Sequence, residues 1–139
     1  MTPNLFVANN VFDDRACQLG EGPLWHPLQQ RWYWFDILQN RLLAKDTHED
    51  SLQAQYSWQF DEMVSAAGWL DEYMLLIASE TGLYKFDTRS PSSPQASKQL
   101  VVELEANNPL TRSNDGRSDP WGGFWIGTMG KQAQQGLGS

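Results

Sequence analysis

This chain repeats itself, and the repeat limits its fold more than any other feature. WHPLQQRWYWFDILQNRLLAKD (25–46) and WLDEYMLLIASETGLYKFD (69–87) both run from a tryptophan through an apolar segment and a turn to a second segment ending in aspartate. Those aspartates, Asp46 and Asp87, lie 41 residues apart. A third copy opens at SNDGRSDPWGGFWIGTM (113–129), where GGFWIGTM repeats the apolar segment. The pieces RWYWFD (31–36), RLLAKD (41–46) and LQAQYSWQ (52–59) are short, rich in aromatic and apolar residues, and separated by turn-like breaks, which predicts strands. The series restarts with VSAAGWL (64–70), YMLLIAS (73–79), GLYKFD (82–87) and KQLVVEL (98–104). RSPSSP (89–94) reads as a surface loop, and no stretch holds a helical period with caps at both ends. Short strands recurring every ~40 residues are the mark of propeller blades. WYWF and MLLI, apolar on both faces, suit middle strands sandwiched between blades. A β-sandwich with coincidental internal similarity is the alternative.

Two blades and half of a third use up the 139 residues, whereas a propeller needs about four to eight. The expectation is therefore that residues 1–139 are the N-terminal portion of a single propeller domain, an all-β fold whose later blades lie outside this chain. Composition agrees with a packed domain: 40% of residues are hydrophobic, including seven Trp, six Phe and four Tyr, which argues against disorder. A formal charge of −7 repels a phosphate backbone, so nucleic acid is not an expected partner. Cys17 is the single cysteine, which rules out an internal disulfide and a cysteine-rich zinc site. The start, MTPNLFVANNVFDD, lacks the basic and apolar regions of a signal peptide, and the longest apolar run, MLLIA (74–78), cannot span a membrane. A cytoplasmic location is expected.

Two stretches could carry chemistry. LGEGPLWHP (19–27) holds Glu21 between two glycines. It is either a turn with a solvated carboxylate or a backbone shaped to aim that carboxylate. In TRSNDGRSDPWGGFWIGTMG (111–130), strand alternation puts Arg112 and Asn114 on one face and Ser113 and Asp115 on the other. A guanidinium and an amide lining a channel could hydrogen-bond a polyhydroxyl ligand; the competing reading is that NDG is a tight turn. SDPWGG reads as the turn between the first two strands of the blade, with Asp119 accepting local backbone hydrogen bonds. His26 and His48 have no partner at metal-ligand spacing and read as surface residues. No Ser-His-Asp order, phosphate loop or dinucleotide fingerprint is present.

LGEGPLWHP near the start, the WFDI strand, and RSNDGRSDPWGGFWIGTM about 90 residues later together resemble the SMP-30/gluconolactonase/regucalcin family, from about Val11 to Ser139. The resemblance implies a six-bladed propeller with a divalent metal on its axis, calcium first and zinc, manganese or magnesium as alternatives. It implies hydrolysis of a sugar lactone to an aldonic acid. Glu21 matches the family's first metal ligand. Arg112 and Asn114 match positions that contact the sugar, while Asp115 and Gly116 complete the signature and shape the strand. Some members carry a substrate-contacting glutamate three residues beyond Met129; here that position is Gln132, which puts its role in doubt and bears on sugar preference.

The family's other metal ligands, an asparagine and an aspartate, lie on later blades, and the aspartate is also the general base expected beyond Ser139. No catalytic residue is therefore expected within the chain itself, and one carboxylate is a poor site for a hard cation. The chain alone is expected to be inactive and to self-associate through uncovered blade faces. Rival readings are a calcium- or sugar-binding propeller without turnover, and a propeller acting on another ester or a phosphoester. A pure protein-interaction propeller would leave the channel glutamate and arginine without a purpose.

Overall fold

Strand pairing follows the repeat. The computed structural model describes residues 10–47, 54–92 and 97–139. Within them β1 (Gly20–His26), β2 (Arg31–Asp36), β3 (Arg41–Asp46) and β4 (Gln55–Gln59) form one antiparallel sheet in chain order. β5 (Val64–Trp69), β6 (Met74–Ser79), β7 (Gly82–Asp87) and β8 (Lys98–Glu103) form a second sheet in the same order. β9 (Thr111–Ser118) and β10 (Phe124–Gly130) begin a third. The first strands β1, β5 and β9 lie against one another, so each sheet radiates outward as a blade. His48 falls outside the described residues.

The core lies between the first two blades. Tyr33, Phe35, Leu42, Ala44 and Trp58 of the first meet Val64, Leu75, Ile77 and Phe86 of the second, with Ile37 and Phe60 from the connecting segments. The expectation that WYWF is buried on both faces holds for one face only. Tyr33 and Phe35 are fully buried, Trp32 is exposed, and Trp34 is half-covered by a strap from the N-terminal segment. In that strap the Arg15 guanidinium lies 5.2 Å from the Trp34 ring, holds Asp13, and donates to the carbonyls of Ala44 and Tyr56. On the outer strand of the second blade, Leu100, Val101 and Val102 are each about half exposed.

All three inner strands contain one extra residue against their neighbour, near the same end. Gly22 and Pro23 stand opposite Trp34; Ser65 has no counterpart between Ser79 and Ala78; Asn114 and Asp115 stand opposite Gly127. Such bulges bend the strand and re-aim side chains. At the first of them, a Cβ on Gly22 would meet the Ser65 carbonyl oxygen at 2.6 Å, and its φ of +62° suits glycine.

At the opposite end of the inner strands each blade turns back through a capped loop. Asp71 Oδ1 accepts the N–H groups of Tyr73 and Met74, and Asp119 Oδ1 accepts those of Trp121 and Gly123, the local role expected of Asp119. His26 occupies this place in the first blade. The surface position expected for it is corrected here, because the imidazole is completely buried. Its Nδ1 accepts the Gln29 N–H at 3.3 Å and its Nε2 donates to the Asp71 carbonyl at 2.9 Å, tying one blade to the next. A short sequence window shows His beside Pro but not the blade that closes over it.

Candidate functional site

The end of the inner strands that carries the bulges gathers the charged residues. Glu21 opens β1, opposite Phe35, and is exposed. The stretch around it is a bulged strand rather than a turn, while its carboxylate is exposed to solvent as the turn reading expected. Arg112 is only 5% exposed. Its Nη1 donates to the Ser113 carbonyl at 2.9 Å and to Asn114 Oδ1 at 3.2 Å, while its Nε is buried with no hydrogen-bond partner among the described residues. Burial pushes the Arg112 guanidinium down from its usual range, opposed by the carboxylates of Glu21 and Glu80. Those two acids, from the first and second blades, are thus the negative charges that act on it.

Arg112 and Asn114 do share a side of β9, as alternation predicted. Ser113 turns the other way, and its hydroxyl meets that of Ser65 at 2.8 Å in a fully buried contact between blades. NDG is not a hairpin turn but the bulged middle of an eight-residue strand, and the turn comes at Asp119–Gly123. GTM (127–129) runs along β10, where Met129 pairs with Arg112 and Thr128 Oγ1 donates to Glu105. Gln132 is exposed on the segment after β10, its N–H bonded to Gln134 Oε1 at 3.1 Å, and among the described residues its side chain hydrogen-bonds none of the other candidates.

Glu80 and Lys131, which the sequence analysis did not single out, stand beside this group. Glu80 follows β6; its Oε2 accepts the Met63 N–H at 3.2 Å and its Oε1 pairs with the Lys131 ammonium. Lys131 is placed by its N–H bond to the Leu110 carbonyl, at the start of the segment that carries Gln132. The only signal for them in the sequence was position: each directly follows the second strand of its blade.

As a cation site the group is partial. Among the described residues no three of His, Cys, Asp and Glu gather in a way that could hold a metal ion. Glu21 offers a hard, accessible carboxylate that fits a divalent ion as one donor, well short of the six to eight oxygens calcium takes. What the group offers in full is hydrogen-bond donors: a buried guanidinium with a spare N–H, and an amide whose oxygen is already engaged.

Among known proteins, the family described as SMP-30/Gluconolactonase/LRE-like region matches residues 19–139. A 6-deoxy-6-sulfogluconolactonase of Pseudomonas putida is 36% identical over 115 residues, covering 80% of this chain and 35% of that protein. A putative sugar lactone lactonase of Rhizobium meliloti (strain 1021) is 34% identical over 139 residues, covering all of this chain and 44% of that protein. The chain thus spans less than half the length of these relatives. A calcium-binding protein, regucalcin, from Agrobacterium tumefaciens str. C58 superposes with a TM-score of 0.78 at 36% identity, over 88% of this chain and 39% of its own. No helix among the described residues is long and apolar enough to cross a membrane. Radial blades, inner strands bulged at one end and the match over 19–139 lead to one conclusion: this chain is part of a β-propeller and belongs to the SMP-30/gluconolactonase/LRE-like family.

Proposed function

We propose that residues 1–139 are the N-terminal portion of a single propeller that, when whole, opens a sugar lactone to its aldonic acid with the help of a divalent metal. The observation that carries this reading is the Arg112–Asn114 pair, a buried guanidinium bonded to a half-buried amide at one end of the inner strands, with the Glu21 charge acting on it. Relatives named as sugar lactonases and a structural neighbour named as calcium-binding support the same reading.

Glu21 would hold the ion from the first blade, calcium being the first candidate and zinc, manganese or magnesium the alternatives; bound there, the ion supplies Lewis-acid polarisation of a carbonyl. Arg112 and Asn114 donate to oxygens of the sugar ring and fix its orientation. Water forms the new C–O bond at the lactone carbon, the ring ester C–O bond breaks, and the departing ring oxygen takes a proton to become a hydroxyl. The base that receives the water's proton is assigned to residues beyond Ser139, so this chain alone does not turn over.

The test is a pH-based assay of a neutral aldonolactone with the full-length protein, with and without divalent metal, beside its Glu21→Gln variant. Metal-dependent opening that falls together with metal affinity in the variant supports the reading. Normal metal binding and normal rate in the variant overturn it. Tight calcium binding without any lactone opening would favour the second reading, a calcium- or sugar-binding propeller without turnover, as the neighbouring regucalcin's name suggests.

A further inference from the structure

Lys131 pairs with Glu80, whose charge also acts on the buried Arg112, so two cations stand at this end of the inner strands. A neutral sugar lactone presents only hydroxyl and carbonyl oxygens, which the donors of Arg112 and Asn114 already match. An ammonium beside them adds something only for an oxygen that carries full charge. Lys131 is free enough to be used in this way. Its side chain is 31% exposed against 18% for Glu80, so the ammonium is the more accessible end of the pair. The segment that carries Lys131 points in the same direction: residues 131–139 hold no carboxylate to oppose an incoming anion.

We propose that Lys131 sets substrate choice, admitting lactones whose ring carries an anionic group, a carboxylate or a sulfonate, with Glu80 holding the ammonium until that group arrives. This rests on the lactonase reading of the same site and names its substrate class. Lys131 does not touch the reacting carbonyl; it acts on the far end of the ligand.

The experiment compares D-glucaro-1,4-lactone, which carries a carboxylate, with neutral D-glucono-1,5-lactone, using the full-length protein and its Lys131→Gln and Lys131→Arg variants. The quantity read is the ratio of kcat/KM for the charged over the neutral lactone. One charge-assisted bond predicts that Lys131→Gln lowers the ratio about tenfold or more, and that Lys131→Arg keeps it within about threefold of the parent. Added salt should lower the ratio in the parent but not in Lys131→Gln. A loss of fold would depress both lactones and leave the ratio unchanged, so it cannot mimic the result. A ratio unmoved by Lys131→Gln in a variant that still opens the neutral lactone at the parent's rate overturns the proposal. If neither lactone is opened, the lactonase reading fails, and calorimetric binding of the two lactones decides the proposal by itself. Preference for the charged lactone that disappears in Lys131→Gln sustains it; equal or absent binding of the two by the parent overturns it. A sulfonated lactone run in parallel identifies which anion is preferred.

Discussion

Arg112 and Asn114 are hydrogen-bonded to each other along one strand, Nη1 to Oδ1 at 3.2 Å. Because a guanidinium only donates, this bond engages the amide oxygen and leaves the amide NH2 as the group's remaining donor. The pair therefore presents donors to a ligand and does not offer Asn114 Oδ1 freely to a cation.

Replacing Asn114 by Asp should separate those roles. The carboxylate keeps the Arg112 bond, loses the remaining donor, and adds negative charge near Glu21. On the full-length protein, KM for a neutral lactone should rise about tenfold, the worth of a hydrogen bond to a charged or strongly polar site, while metal affinity holds or improves. Steady-state kinetics beside metal titration reads both quantities. An unchanged KM would show that the amide NH2 makes no bond to the lactone.

The Ser65–Ser113 hydroxyl pair joins the second and third blades where both side chains are fully buried. Either single change to Ala strands a buried hydroxyl and should destabilise the chain by about 1–2 kcal/mol, whereas the double change should cost less than the two singles added. Urea melts of the four proteins in a double-mutant cycle measure the coupling.

Gly22→Ala should destabilise by about 1–3 kcal/mol, since a left-handed φ and a backbone oxygen at 2.6 Å both oppose a Cβ. Metal affinity of the full-length protein should fall with it, because the bulge that Gly22 permits directs Glu21. Chemical denaturation and metal titration test the two effects separately. A stable Gly22→Ala protein would mean that β1 can straighten at no cost.

Asp36 supplies a pH dependence with a definite sign. Its carboxylate is buried; burial raises its pKa, but the hydrogen bond from Arg41, the N–H groups of Leu19 and Gln18 and the Arg41 charge outweigh this and hold it below the ordinary 3.8. A depressed folded-state pKa stabilises the protein above the ordinary carboxylate range, and that stability is lost as pH falls through the folded value. Denaturant melts between about pH 6 and pH 2 should show stability declining below about pH 4. Asp36→Asn should lower stability by about 1–3 kcal/mol at neutral pH and flatten that decline. An unchanged slope in the variant would assign the decline to other carboxylates.

How much of this was legible in the sequence differs between fold and site. The boundaries of β2, β3 and β7 coincide with RWYWFD, RLLAKD and GLYKFD, because each is a short apolar run closed on both sides by turn residues. β1 was hidden, since Gly-Glu-Gly-Pro spells a turn locally and becomes a strand only where β5 packs against it. That Arg112 and Asn114 share a side of one strand was legible through alternation. Glu80 and Lys131 were not: their meeting depends on how the second and third blades sit together, which no spacing within one blade encodes. His26 was misread for the same reason, its burial coming from the neighbouring blade's turn.

The open side of β8 predicts association. Leu100, Val101 and Val102 stay about half exposed on an edge strand, a template for pairing with another chain. The 139-residue chain should sediment as dimers or larger species at micromolar concentration, and Val101→Lys should shift it toward monomer. A monomeric parent in velocity sedimentation would refute this.

The extra residue in each inner strand also bears on how such a molecule diversifies. Since the slip is written into the strand itself, at Gly22–Pro23, Ser65 and Asn114–Asp115, a blade copied by gene duplication arrives with its axial side chain already directed. Only the identity of that side chain then has to drift. An acid just before the slip in the first blade and an amide within it in the third are two outcomes of one strand geometry, and chemistry at this end of the strands can be rewritten one codon at a time while the sheets stay as they are.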